Sequence, residues 1–491
     1  MKRRITRREA LRLGLGAMAG LTLPAIGGGV AASFGVFDRT ARAPRFELPL
    51  TVPPVLTPTR TDANTDYYEM VQMLAGQEIL PGLTTPIWGY NGSFPGPTIR
   101  ARTNRRLVIK QMNGLPEPVS VHLHGGVQSS ESDGFPTDLI PPGGTKDYHY
   151  PNLHRAATLF YHDHAMDLTG PHTYKGLSGL YLLSDDVEDS LPLPRGEYDV
   201  PLMIQDRAFN LDGSFAFRSN DPTNIFAQGG DVILVNGVPW PRFQVAARRY
   251  RFRILNASST RDYGIALSNK EPLIQIATDG GLLDRPIALD AVRLGPAERA
   301  EVVVDFGDMA LGTTIDLENR LDVGDFAALL RFEVTRRADE DSRVPAVLAP
   351  TQRLLEADAA TTRRFVFRRS LTPAFPPFHW TINGRTYDPS TIAERVRQGT
   401  TEIWQFENRA FGPFEEQEHP VHVHLVNFLV LDRNGRPPAP YETGWKDTVV
   451  VGSKETVRVI ARFAPFTGKY VLHCHNLAHE DHAMMANFEV V

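Results

Sequence analysis

The sequence predicts an all-β protein made of three β-sandwiches in tandem, and three observations carry that expectation. The chain has 491 residues, about three times the ~150 that one domain takes. Asn-Gly pairs recur at Asn91-Gly92, Asn236-Gly237 and Asn383-Gly384, one domain length apart. A strand-like run that closes on asparagine follows each pair, over residues 106–113, 250–256 and 402–408.

Taken in order, residues 1–32 are not read as fold. Lys2, Arg3, Arg4, Arg7, Arg8 and Arg12 precede a modest apolar stretch at 13–26 and then small residues at 27–32, the pattern of an export signal. The stretch is too short and too glycine-rich to span a bilayer stably. No later segment offers 18 uninterrupted apolar residues, so the mature protein is not expected to be membrane-embedded. Thr6-Arg7-Arg8-Glu9-Ala10-Leu11-Arg12 resembles the twin-arginine export motif. That resemblance implies passage of a folded protein through the twin-arginine machinery, to the periplasm or beyond. Removing the segment takes the formal charge from −5 to about −10.

The three repeats follow at 40–190, 196–345 and 355–491. Asn-Gly supplies the positive φ that a tight turn needs. Runs such as residues 249–255 alternate largely with period two, as half-buried strands do. Each repeat is therefore read as an antiparallel sandwich, with the Pro-rich or polar stretches 191–195 and 339–353 as linkers. Helical patterning is scarce, the clearest candidates being residues 66–74 and a turn near 391–396.

Composition supports this reading and narrows the function. With 42% hydrophobic and 22% charged residues, the chain is not disordered, collagen-like or a coiled coil, and 40 glycines and 38 prolines suit many turns. A net charge of −5 leaves no basic excess to neutralise phosphates, so nucleic acid is not an expected partner. The single cysteine, Cys474, excludes an intramolecular disulfide.

The chemistry is concentrated in four segments: His122-Leu123-His124, His162-Asp163-His164, His422-Val423-His424 and His473-Cys474-His475. These use eight of the fifteen histidines. On a strand, residues i and i+2 share a face, so each pair presents two imidazoles to one side. Eight imidazoles from four strands can hold several metal ions. The pairs belong to the first and third repeats, and the second contains no histidine, so the cluster is expected between units one and three with the middle unit as a spacer. Cys474 must face away from His473 and His475, and His419, at an odd offset from His422, faces that same second side. With His479 and Met484 they make a His₂Cys set with a weak axial thioether, which suits copper and is the set expected for blue-copper electron transfer. Zinc, the competing metal, seldom recruits methionine.

The segments His122 through Val127 with Ser132-Asp133-Gly134, Tyr161 through Met166, His419 through Leu425, Gly444-Trp445-Lys446-Asp447-Thr448 and His473 through Met485 resemble the multicopper oxidase family, in its bilirubin oxidase and spore-coat laccase branch. The resemblance covers nearly the whole mature chain and implies cupredoxin-like Greek-key domains holding four copper ions. His419, Cys474, His479 and Met484 would bind type 1 copper, with His479 as the exposed ligand. His122 and His422 would bind type 2 copper. His124, His162, His164, His424, His473 and His475 would bind the type 3 pair. Asp133 and Glu480 match the family's positions for delivering protons to dioxygen. The implied activity is one-electron oxidation of phenols, aromatic amines or tetrapyrroles, coupled to reduction of dioxygen to water. Met484 in the axial position implies a moderate type 1 potential. The remaining histidines, His149, His154, His172, His379 and His482, are read as surface or satisfied residues.

Two other functions fit parts of the sequence. One is a periplasmic oxidase of Cu(I) or Mn(II), although residues 410–418, ahead of the C-terminal ligands, contain no methionine. The other is a non-catalytic exported structural or cell-division protein, against which the full ligand set argues.

Overall fold

Strands group by chain segment into three pairs of sheets in the computed structural model, which describes residues 43–217, 229–371, 378–409 and 417–491. The export segment read at 1–32 lies outside the described residues. Residues 60–184 form a five-stranded and a four-stranded sheet, 199–337 a seven-stranded and a five-stranded sheet, and 359–490 two five-stranded sheets. Each group has its own apolar core, represented by Tyr68, Leu107 and Tyr148, by Phe252, Val302 and Phe332, and by Phe365, Trp404 and Phe488. The protein is all-β, as the repeats predict.

The repeated sequence signals do the same work three times. Asn91, Asn236 and Asn383 all adopt φ near +52°, and each following glycine is also at positive φ. Each asparagine then clamps a neighbouring strand, its Oδ1 accepting from Val71, Met203 and Val366 N–H respectively, at 2.8 Å. The asparagines that close the strands act alike: Asn113, Asn256 and Asn408 each donate Nδ2 to one carbonyl of the loop that follows and to a second farther along the chain, at Ile140, Leu294 and Val451 respectively.

Several expectations are corrected. Residues 66–74 lie in a strand, Thr65–Glu78, and residues 392–396 form the strand Ile392–Val396. In the first, Tyr68, Met70 and Gln72 alternate into the core while the strand runs parallel to Arg106–Asn113, so tertiary pairing overrides local helical pattern. The sheets are mixed rather than antiparallel, because the first long strand of each unit pairs in parallel across a crossover: Thr65–Glu78 with Arg106–Asn113, Asp199–Arg207 with Arg249–Asn256, and Ala359–Leu371 with Thr401–Asn408. The alternating run at 249–255 is not half-exposed. Its Arg251 and Arg253 are buried among Glu188, Asp199 and Glu301, an ion-pair network joining the first unit to the second.

Two pairs of neighbouring strands set up the histidines. Val121–His124 lies antiparallel to Ala157–Asp163 with His122 opposite His162. In the third unit, His419–Val423 lies antiparallel to Gly468–Cys474 with His422 opposite His473. A short helix, Leu477–Asp481, follows the second pair and carries His479 and Glu480.

Candidate metal centre

The predicted residues fall into two compartments on opposite faces of the Gly468–Cys474 strand. In the first, Cys474 Sγ lies 3.4 Å from His419 Nδ1 and 3.5 Å from His479 Nδ1, and all three side chains are buried. Met484 is buried in the same core and its backbone pairs with both Cys474 and His479. His479, expected to be exposed, is only 3% exposed. The Trp380 ring lies against it at 3.8 Å between centroids, which accounts for the difference.

All eight paired histidines meet in the second compartment. His122 Nε2 and His422 Nε2 are 3.4 Å apart, and His473 Nε2 is 3.3 Å from both His164 Nε2 and His424 Nε2. The His124 ring stacks on His422 at 3.6 Å, and His475 lies 5.0 Å from His124 and 5.3 Å from His162.

This donor set fits metal. Burial is the main reason that His162 and His164 are held down to about 4, His419 to about 3, and His122, His124, His422, His424, His475 and His479 well below their ordinary value. These imidazoles are therefore neutral with free lone pairs, the form that coordinates metal. His124 Nδ1, His162 Nε2, His164 Nδ1 and both nitrogens of His475 are buried without a protein hydrogen-bond partner. Orphaned donors on this scale are costly unless an ion takes them up. Burial likewise pushes the Cys474 thiol far up, and a coordinated cation is what would deprotonate it.

Outer partners fix which ring nitrogen faces inward. His122 Nδ1 donates to the Asp133 carbonyl (2.6 Å), His162 Nδ1 to the Asp163 carbonyl (2.9 Å), and His422 Nδ1 to the Asp447 carbonyl (2.8 Å). His424 Nδ1 donates to Asp133 Oδ2 at 2.8 Å. The two predicted proton carriers occupy contrasting surroundings. Burial pushes Asp133 up to about 8 against the opposing hydrogen bond from Gln128. Burial also pushes Glu480 up, but His473, 3.1 Å away, and His164 outweigh it and hold Glu480 well below the carboxylate range.

Sequence reasoning missed the middle unit's contribution. Asp447 Oδ1 is 3.0 Å from His124 Nε2, which leaves Nδ1 as that ring's free donor atom. Arg299, from the second unit, holds Asp447 through both terminal nitrogens and donates Nε to the Thr158 carbonyl of the first. The middle unit is thus more than a spacer. Gly125, next to His124, sits at φ +80°, and a Cβ there would fall 2.5 Å from both Arg299 Nη2 and Asp447 Oδ2. The sequence signal for Asp447 was its place in Lys446-Asp447-Thr448; for Arg299 there was none. Of the five remaining histidines, His149 is exposed, His154, His379 and His482 are half-buried, and His172 is fully buried between two carboxylates.

Comparison with known proteins agrees with this arrangement. Two family profiles described as multicopper oxidase match residues 75–188 and 364–491. A laccase of Bacillus subtilis is 37% identical over 90% of this chain and 97% of its own length. A bilirubin oxidase of Albifimbria verrucaria is 38% identical over 92% of this chain and 83% of its own. A laccase crystal structure from Pediococcus acidilactici superposes with a TM-score of 0.82 at 31% identity, covering 93% of this chain and 96% of that one.

Proposed function

The chain belongs to the multicopper oxidase family, and on that premise we propose which of its residues hold the metals and move the protons. It is a laccase-like, copper-dependent oxidoreductase with dioxygen as acceptor, built from three cupredoxin-like domains. Its four copper ions supply one-electron acceptance from phenolic, aromatic amine or tetrapyrrole donors, and four-electron reduction of dioxygen to water. The metal-oxidase alternative is not favoured.

In this reading His419, Cys474, His479 and Met484 bind type 1 copper. His122 and His422 bind type 2, and His124, His162, His164, His424, His473 and His475 bind the type 3 pair. The observation that carries it is Cys474, which faces one compartment while its covalent neighbours His473 and His475 face the other. Three consecutive residues thus link the two compartments. Asp133 and Glu480 are proposed as proton carriers, supported by their burial and by contacts with His424 and His473. Asp133 is placed to keep a proton at neutral pH and Glu480 to accept one, the split that acid–base pairs need. Aromatic donors would approach past Trp380, because that ring covers His479.

We also propose export by the twin-arginine route, supported by Arg7-Arg8 and the apolar stretch after them. Replacing Arg7 and Arg8 by lysine should leave folded protein in the cytoplasm; unchanged export would contradict the route. For the activity, oxygen consumption by copper-loaded protein is measured against phenol, aromatic amine, bilirubin, Cu(I) and Mn(II). Turnover of the organic donors is expected, and metal-ion turnover far above all of them would overturn the substrate class.

A further inference from the structure

His172 is a buried titratable group that the oxidase chemistry does not use. It lies on the helix Thr169–Lys175 with no exposed side-chain surface. Its Nδ1 is 2.9 Å from Asp163 Oδ1 and its Nε2 is 3.0 Å from Glu117 Oε2. A neutral imidazole has one N–H and can donate to only one of two carboxylates. An imidazolium donates to both, through charge-assisted bonds at each nitrogen.

Asp163 stands between His162 and His164, and its carboxylate reaches both histidine-bearing segments of the first unit. Oδ2 accepts from Ser120 N–H, just before the strand of His122 and His124, and Oδ1 accepts from Ala165 N–H, just after His164, each at 3.0 Å. Asp163 is itself fully buried. A buried carboxylate is costly without a cation beside it, and His172 is the ionisable partner in hydrogen-bond contact with it.

We infer that His172, as an imidazolium shared between Asp163 and Glu117, is a positioning residue for the first unit's half of the copper cluster. It holds the Asp163 carboxyl group in place through Nδ1, and Asp163 in turn fixes the backbone on either side of His122, His124, His162 and His164. Burial alone would lower the pKa of His172, but Asp163 and Glu117 outweigh it and raise it above the ordinary histidine value. Because the folded value is raised, the clamp is complete at low pH and weakens as pH rises through that value. The other groups around it are Lys175, whose Nζ lies 3.7 Å from the Trp88 ring that packs on His172, and Asp481, which accepts from Gly170 N–H on the same helix. The side chain of Glu117 is 41% exposed, so the clamp can be adjusted from the surface.

The inference rests on the ligand assignment proposed above, and the test separates the two. Copper per chain, blue absorption and the type 2 electron paramagnetic resonance signal are measured on loaded protein across pH. The parent should bind four coppers; a parent with no copper in the histidine cluster would remove both the assignment and the inference. His172→Gln should weaken copper retention in the cluster by about 10- to 100-fold while keeping its blue absorption. Glu117→Gln, at an exposed position, should match the parent at pH 6 and move the alkaline change in the type 2 signal to lower pH. If the parent loads normally, an unchanged type 2 signal in both variants overturns the inference. Should His172→Gln fail to fold, Glu117→Gln decides alone: an unshifted alkaline change overturns it.

Discussion

Arg299 and Asp447 form a two-pronged ion pair, both N–O distances 2.6 Å, in which the side chains are 0% and 1% exposed. The arginine comes from the histidine-free middle unit and the aspartate from the third, and Asp447 bears on His124 of the first. All three units therefore meet in one contact at the edge of the cluster. A buried anion that keeps the Nε2 proton of His124 in place leaves Nδ1 free for metal.

Asp447→Asn keeps the shape but removes the charge that Arg299 and His124 share. Turnover should fall about 10- to 100-fold, the usual scale for losing such an outer partner. Blue absorption should stay intact, because Cys474, His419 and His479 are not touched. Parallel absorption and turnover measurements check this, and full activity would show that the orientation of His124 does not depend on Asp447.

Cys474→Ser should abolish both blue colour and turnover, since a hydroxyl offers no thiolate to copper. The eight cluster histidines should still bind their metal, leaving about three coppers per chain. Elemental analysis with absorption spectroscopy reads both; retained turnover would rule out the route through Cys474.

The copper-free protein should lose stability in acid. His162 and His164 are held down to about 4 and His419 to about 3 by burial, whereas unfolded histidine titrates near ~6.5. Depressed values mean that their contribution is present above ~6.5 and is lost as pH falls toward 4. Asp133, pushed up to about 8, runs the opposite way, its contribution fading as pH rises. Three histidines outweigh one carboxyl, so the denaturant midpoint should be lower at pH 4.5 than at pH 7. An equal or higher midpoint would mean that the rings are not desolvated as described.

Asp133→Asn should slow dioxygen reduction by about 10²- to 10⁴-fold, the range for loss of a positioned proton donor. Anaerobic bleaching of the blue site by a phenol should keep its rate. Equal slowing of both half-reactions would place the role of Asp133 elsewhere.

The parts of this site legible in the sequence are those governed by strand periodicity. His-x-His spacing, the odd offset of His419 and the position of Cys474 between two histidines translate directly into opposite faces of one strand. Likewise the Asn-Gly turns are legible because the positive φ they adopt is a local property of those two residues. What stayed hidden depends on which unit packs where. Arg299 lies 148 residues from Asp447 and carries no local signature. Arg251 and Arg253 look like the solvent side of a half-buried strand until Glu188 of the first unit covers them. Residues 66–74 read as helical in isolation, and pairing with distant segments, parallel to Arg106–Asn113 and antiparallel to Thr84–Tyr90, makes them a strand.

The most direct test is anomalous diffraction at the copper edge from crystals of loaded protein. Four copper peaks are expected per chain, one beside Cys474, His419 and His479 and three among the eight paired histidines. Copper missing from either compartment, or bound outside both, would contradict the assignment.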